Sequence, residues 1–251
     1  MNTSDVLQVR KLVKTYAGAT TPAVNGLDFT VREGEFFGLL GPNGAGKTSA
    51  ISIICTLLRP TSGSAILCSV DVACHPAAAR RLFGLAPQDV ALYPTLTVRE
   101  NLLYFGRLYG LSRTVLDRRI EECLTQVGLA ETAEKRISAF SGGMKRRANL
   151  AAAILHEPRV LFLDEPTVGI DAQSRNLIFE NLRSLKDLGT TIIYTTHYME
   201  EAEQLCDRVA IMDQGALIAL DTPQALISRF EGCANLEETF HKDLDYYEEF
   251  P

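Results

Sequence analysis

Residues Gly41-Pro42-Asn43-Gly44-Ala45-Gly46-Lys47-Thr48, followed by Ser49, gather glycines, a lysine and hydroxyls into one short segment. The chemistry open to such a set is polyphosphate binding. Glycines let the backbone curl until several amide N–H groups point at one phosphate chain. A helix starting near Gly46 adds the positive end of its dipole to that cradle. Lys47 can reach the outer phosphates as a point charge, and the Thr48 hydroxyl can ligate the magnesium ion that accompanies them. The segment follows the apolar run Glu35-Phe36-Phe37-Gly38-Leu39-Leu40 and precedes a helix predicted over Ser49 to Leu58. A strand, a Gly-x-x-x-x-Gly-Lys-Thr turn and a helix, in that order, form the context that makes a phosphate loop credible. Nucleoside triphosphate binding through Gly41–Ser49 is the expectation.

Four further groups carry possible chemistry. Val160-Leu161-Phe162-Leu163-Asp164-Glu165 is a continuous apolar strand ending in two acids. A strand buried on both faces ends its apolar run where it emerges at a ligand site, at the carboxyl edge of the sheet. Asp164 there suits magnesium, and Glu165 suits a water to be oriented or deprotonated; an ordinary acidic turn is the alternative. His197 ends another apolar strand, Ile192–Thr196, and is either a structural or solvated histidine or a contact to the γ-phosphate. Gln88 stands where the strand Leu82–Ala86 gives way to helical sequence; its amide can serve magnesium or the attacking water, although loop glutamines are commonplace. Ser141-Gly142-Gly143-Met144-Lys145 is a second phosphate-ready helix start, or a plain serine cap on a surface helix.

These residues need a scaffold, and the composition permits one. With 46% hydrophobic and 22% charged residues over 251 positions, the chain can bury a sizeable α/β core. A net charge of −6 argues against a broad nucleic-acid surface. No apolar run approaches the roughly 18–20 residues needed to cross a bilayer, and the amino terminus lacks a signal-peptide pattern. A cytosolic chain is expected, with its six cysteines as free thiols rather than a metal site.

Alternating segments at Val6–Val9 and Leu27–Val31 predict antiparallel strands, and Ser62-Gly63-Ser64 reads as a turn before the strand Ala65–Leu67. Helices are predicted over Val98–Tyr109, Ser112–Val127, from Ser141 to Leu155, over Ala172–Lys186 and over Tyr198–Leu205. Strands are predicted at Arg159–Leu163 and Thr190–Thr195, and a hairpin from Val209 to Leu220 turning at Gln214-Gly215. That order predicts a parallel α/β core with an antiparallel flank, interrupted by a helical insertion over roughly residues 90 to 156.

The phosphate loop, Gln88, Ser141-Gly142-Gly143, Asp164-Glu165, Gly169-Ile170-Asp171 and His197 stand in the order found in ATP-binding cassette ATPases. Residues from about 5 to 222 resemble that family, and the Ser-Gly-Gly segment is what other phosphate-loop families lack. The resemblance implies an α/β P-loop NTPase fold of the RecA-like kind, with a helical signature subdomain inserted in an ATPase domain spanning 1–221. Residues 222–251 would form a helical extension with an acidic tail. It further implies that Tyr16 stacks on adenine and that Gln88 is the lid glutamine. Ser141, Gly142, Gly143 and Met144 would be the signature contacting ATP in trans, Asp171 the loop crossing the dimer, and His197 the switch histidine. ATP and Mg2+ would be the ligands, the metal held by Thr48, Gln88 and Asp164, with Glu165, His197 and Gln88 catalytic.

In finer detail the chain resembles the cassette subunits of drug, lipid and polysaccharide exporters of the ABC-2 type. Tyr93–Asn101, Phe140–Arg147 and Leu236–Phe240 carry that likeness. Met144 stands where many cassettes have glutamine, and Ala172 replaces a common proline; neither touches a phosphate, magnesium or water contact. The implied partners are a second ATPase subunit, in a homodimer, and separate membrane permease subunits docking near Val90–Leu102, at the cytoplasmic face of the cell membrane. Soluble cassette ATPases of DNA repair, translation or cluster assembly are the competing class, and a regulatory module without turnover is a third. The tail carries an apolar stripe, Leu236, Phe240 and Leu244, suited to a short docking helix, before a solvated end rich in Asp243, Asp245, Glu248 and Glu249.

Overall fold

The computed structural model describes residues 5–229 and 232–240. Strands β1 (Asp5–Lys14), β2 (Val24–Arg32) and β3 (Phe36–Leu40) precede α1 (Lys47–Ile54), β4 (Ser62–Leu67), β5 (Val70–Asp71) and α2 (Pro76–Ala79). β6 (Phe83–Ala86) leads into α3 (Val98–Leu108), α4 (Arg113–Gln126) and α5 (Gly142–Ile154). β7 (Val160–Asp164), α6 (Ala172–Asp187), β8 (Thr191–Thr196) and α7 (Met199–Leu205) follow. β9 (Arg208–Asp213), β10 (Ala216–Asp221) and α8 (Pro223–Ile227) come last. The chain divides into two compact units, one formed by residues up to 80 with those from 191 onward, the other by residues 81–190.

In the first unit β3 is buried at every position, which is why it reads as an unbroken apolar run. It pairs in parallel with β8 and with β9, and β10 returns antiparallel to β9. Gln214 and Gly215 both take left-handed backbone, φ 45° and 82°, as a two-residue hairpin turn of the primed type requires. The start of β3 is pinned by charge: Arg208 meets the buried Glu35 at 3.1 Å, and the Asp207 carboxylate accepts the Phe36 N–H at 2.8 Å. The antiparallel flank is a second sheet ordered β2-β1-β4-β5. Ser62-Gly63-Ser64, expected as a turn, is instead the first half of β4. A Cβ on Gly63 would sit 2.1 Å from the Lys11 carbonyl, so this glycine serves close strand approach rather than reversal.

Helix α1 also differs from expectation. It begins at Lys47 because Gly46, at φ 99°, already caps it, and it ends at Ile54 instead of Leu58. Thr56 turns to φ 61°, and the N–H groups of Leu57 and Leu58 both return to the Ser52 carbonyl, at 2.8 and 3.0 Å. Beyond α8, a short helix over 236–240 buries Leu236 and Phe240 within this unit, and Glu203 of α7 accepts the Leu236 N–H at 3.4 Å. Leu244 and the acidic positions after it lie outside the described residues.

In the second unit β6 and β7 pair in parallel from Phe83↔Val160 to Ala86↔Leu163. The expected helical stretch is present as α3, α4 and α5. Thr97 and Glu100 form a reciprocal capping box at the start of α3, satisfying two N–H groups that the helix leaves open. Glycines allow tight packing here: a Cβ on Gly106 would meet Leu116 at 2.1 Å, and one on Gly84 the Ala153 carbonyl at 2.0 Å.

His156, in the turn between α5 and β7, ties this unit together. Its Nε2–H donates to the Phe83 carbonyl at 2.9 Å, and its ring stacks on Tyr109 with centroids 3.7 Å apart. Burial, aided by the charge of Arg119, holds the imidazole below its ordinary pKa, with the Phe83 hydrogen bond opposing. The unfolded chain therefore takes up this proton first as pH falls. His156 costs no stability above pH ~6.5 and an increasing amount below it, at most about 1.4 kcal/mol per pH unit. Urea titrations between pH 8 and 5.5 should show a shallower acid-side loss for His156→Gln than for the parent chain; identical slopes would remove His156 as the cause.

Candidate functional site

The first unit holds the phosphate loop. Gly41, Gly44 and Gly46 all adopt positive φ, 147°, 88° and 99°, which other residues rarely reach. The loop has no room behind it. A Cβ on Gly41 would meet the Met212 carbonyl at 2.1 Å, and one on Gly46 the Ala23 carbonyl at 2.1 Å, whereas a Cβ on Gly44 meets nothing within 4 Å. The loop is also tied by main-chain hydrogen bonds, Gly215 N–H to Ala45 O at 3.1 Å and Asn25 N–H to Gly215 O at 2.8 Å. Lys47 is buried, and its ammonium donates to the carbonyls of Gly41 at 2.7 Å and Pro42 at 3.0 Å. A cation inside the curl of the loop and amides at the start of α1 together make a site for a polyanion.

Two other expected residues join the loop. Tyr16 is 43% exposed, and its hydroxyl lies 3.0 Å from that of Ser49. The Lys14 ammonium lies 5.4 Å from the Tyr16 ring centroid. His197 follows β8, whose Thr196 is in register with Leu40 of β3, so Gly41 and His197 leave the same carboxyl edge side by side.

The second unit holds Gln88, Asp164 and Glu165. Parallel pairing aligns Ala86 with Leu163, and the Gln88 amide accordingly reaches the Glu165 carboxylate, Nε2 to Oε2 3.4 Å. Asp164 and Glu165 are both buried, and Glu165 stands at φ 47°, left-handed backbone that costs a side-chain-bearing residue of order 1–3 kcal/mol.

Arg146 on α5 has a fastening role that the sequence did not show: it joins these loops. Its guanidinium donates to the Gln88 carbonyl and, at 3.4 Å, to the Val168 carbonyl. Burial lowers its pKa, opposed by the nearby charges of Asp89 and Glu165. In the sequence, Lys145-Arg146-Arg147 reads as the densest basic cluster, expected beside nucleotide rather than DNA.

Ser141 caps α5 by accepting the Met144 N–H at 3.3 Å. The two glycines after it differ in environment. Gly142 is exposed, and a Cβ there would make only ordinary contacts, 3.7 Å to Ile170 and 3.9 Å to the Gly169 carbonyl. A Cβ on Gly143 would fall 2.1 Å from the Ser174 hydroxyl and 2.3 Å from its Cβ. Ser174 in turn belongs to Asp171, whose carboxylate caps α6 by accepting the Ser174 N–H at 2.9 Å and its hydroxyl at 2.7 Å. Those two hydrogen bonds hold the Asp171 carboxyl below its ordinary pKa. Ser174 is a second residue that the sequence did not flag, although Asp171-x-x-Ser174 is a capping spacing.

The sequence pattern of the ABC transporter family matches residues 24–168, which include the phosphate loop, Gln88, the Ser-Gly-Gly segment and Asp164-Glu165. The chain belongs to that family. It is 48% identical over 227 residues to the linearmycin resistance ATP-binding protein LnrL of Bacillus subtilis, covering 90% of this chain and 72% of that protein. It is 47% identical over 214 residues to the Nod factor export ATP-binding protein I of Burkholderia lata, covering 85% of this chain and 70% of that protein. Among solved structures, a dimeric ATP-binding cassette in a post-hydrolysis state bound to ADP and Pi superposes with a TM-score of 0.78 at 26% identity, covering 86% of this chain and 98% of that one. The family's fold is the P-loop NTPase core expected from the motif order, and the chain is an ATP-binding, ATP-hydrolysing ABC transporter subunit. Among the described residues, no helix is long and apolar enough to cross a membrane.

The packing of Gly143 on Ser174 is testable. Gly143→Ala should destabilise the chain by about 1–3 kcal/mol, the usual cost of overpacking. Ser174→Gly should restore part of that loss, and Ser174→Ala, which keeps the clashing Cβ, should restore little. Urea midpoints of the single and double variants measure this, and equal rescue by both serine changes would contradict the contact.

Proposed function

We propose that this chain powers export through separate membrane permease subunits, as one of two identical cassettes that close head-to-tail around two ATP molecules at the cytoplasmic face of the membrane. The observation that carries the catalytic part is the buried, left-handed Glu165 at the end of β7, held at 3.4 Å by the Gln88 amide. Tyr16 stacks on adenine, Gly41–Ser49 bind the phosphates, Glu165 accepts a proton from the attacking water, and His197 contacts the γ-phosphate. Ser141, Gly142, Gly143 and Met144 cap the ATP of the partner cassette, with Asp171 shaping the loop that crosses between them. The exposure of Gly142 supports this, since a surface helix start with room beside it can receive a phosphate from outside its own chain.

Thr48, Gln88 and Asp164 offer a hydroxyl, an amide oxygen and a carboxylate, a hard oxygen set that fits Mg2+. When bound, the ion neutralises charge on the phosphate oxygens. The relatives named for Nod factor export and for linearmycin resistance support the export direction. The half-exposed Tyr93 and Tyr104, stacked edge to face at 5.1 Å just before and within α3, support a permease-docking surface near Val90–Leu102.

Two substitutions test the scheme. Glu165→Gln should keep ATP binding and lower turnover on the order of 10²- to 10⁴-fold, the share of a general base. Unchanged turnover in that variant would sink the assignment. Gly142→Asp should abolish hydrolysis while the monomer still binds ATP, because the added side chain has space in its own chain and repels only the partner's phosphate. Lost ATP binding in the monomer would contradict the cross-dimer placement.

A further inference from the structure

Glu201 is a buried carboxylate that the scheme above leaves without a task. It sits in the first turn of α7 at 3% exposure. A carboxylate taken out of water is costly unless hydrogen-bonded, and this one collects hydroxyls from β8. One oxygen, Oε2, accepts both the Tyr194 hydroxyl at 2.7 Å and the Thr196 hydroxyl at 3.2 Å. Thr196 Oγ1 in turn accepts the Tyr198 N–H at 3.0 Å. Tyr194 and Thr196 are themselves buried, and the Tyr194 ring lies against Phe36 of β3 with centroids 5.9 Å apart.

These bonds grip the chain on both sides of one residue. Tyr194 and Thr196 precede His197, and the Tyr198 N–H follows it. The strand end from which His197 leaves is thereby fixed to α7 and, through Tyr194, to the strand that feeds the phosphate loop. A pure packing contact would need no ion here; an apolar residue in the first turn of α7 would fill the same space at lower desolvation cost.

We infer that Glu201 is a positioning residue for His197, holding the backbone at 196–198 so that the imidazole keeps its place beside the first residues of the phosphate loop. The inference rests on the reading of His197 as the γ-phosphate contact. Displacement of a contact by about 1 Å can cost on the order of 10²-fold in rate without touching the reacting atoms. Because both hydroxyls go to one oxygen, a glutamine amide oxygen can replace it, and a methyl group cannot.

The test is a double-mutant cycle on the purified full-length chain, with ATP turnover, ATP affinity and urea midpoint measured together. Glu201→Ala should lower kcat by roughly 10- to 100-fold and leave KM for ATP within about twofold. Glu201→Gln should recover most of the rate. In a His197→Ala background, Glu201→Ala should have little further effect on kcat, since a residue acting through His197 has nothing left to position. Thr196→Val should behave as Glu201→Ala does, and it carries the same cycle if the latter fails to fold. Multiplicative losses in the double variant, or rates that simply follow the urea midpoint, overturn the inference. A His197→Ala chain with unchanged kcat overturns the underlying reading of His197 itself, a separate outcome visible before any Glu201 variant is made.

Discussion

Main-chain amides can cradle a polyphosphate only when the loop carrying them is held from behind, since the loop has few side chains of its own to hold it. In this chain the backing is backbone. The Met212 and Ala23 carbonyls press on Gly41 and Gly46 at positions where a Cβ would stand 2.1 Å away, and Gly215 hydrogen-bonds the loop at Ala45. Glycine at these positions therefore answers two demands at once, the left-handed backbone and the close approach. The β9–β10 hairpin, which carries none of the phosphate chemistry, shapes the loop that does. A cradle set in advance loses little order when the anion arrives, which is the physical basis of preorganised binding.

The same economy of placement recurs at the strand ends. β3 and β8 leave their sheet in register and deliver the phosphate loop and His197 together. β6 and β7 do so for Gln88 and the Asp164-Glu165 pair. Around each pair, buried polar groups fasten the loops. Arg146 donates to the carbonyls of Gln88 and Val168, and Glu201 gathers the Tyr194 and Thr196 hydroxyls that precede His197. In a low-dielectric interior such bonds are stronger than in water and costly to leave unmade, so they fix geometry well.

Legibility in the sequence followed how local each determinant is. The start of α3 depends on local residues alone, because the Thr97–Glu100 capping box is complete within four residues. Gln214-Gly215 announced its hairpin for the same reason. The end of α1 was not legible: no glycine or proline stops it at Ile54, and the turn at Thr56 depends on how the chain must leave the helix. Gly63 misled, because a glycine flanked by serines has the composition of a turn while its actual role is to let β4 lie against the Lys11 carbonyl of β1. The apolar residues Leu236 and Phe240 read as the stripe of a short docking helix, and both are buried within their unit, while what they pack against was not legible.

The sequence by itself determined the chemistry: a phosphate loop, a strand ending in two acids, a capped Ser-Gly-Gly helix start and a strand-terminal histidine, all readable because each is a short run of residue types with a fixed physical use. The family followed from their order. The tertiary structure alone decided which residues hold that chemistry in place. Ser174 against Gly143, Arg146 on Gln88, Glu201 on Thr196 and Gly215 behind the phosphate loop are partners separated by five to about 170 residues along the chain. Their pairing depends on directions and distances through space, and residue type and sequence spacing carry no record of those.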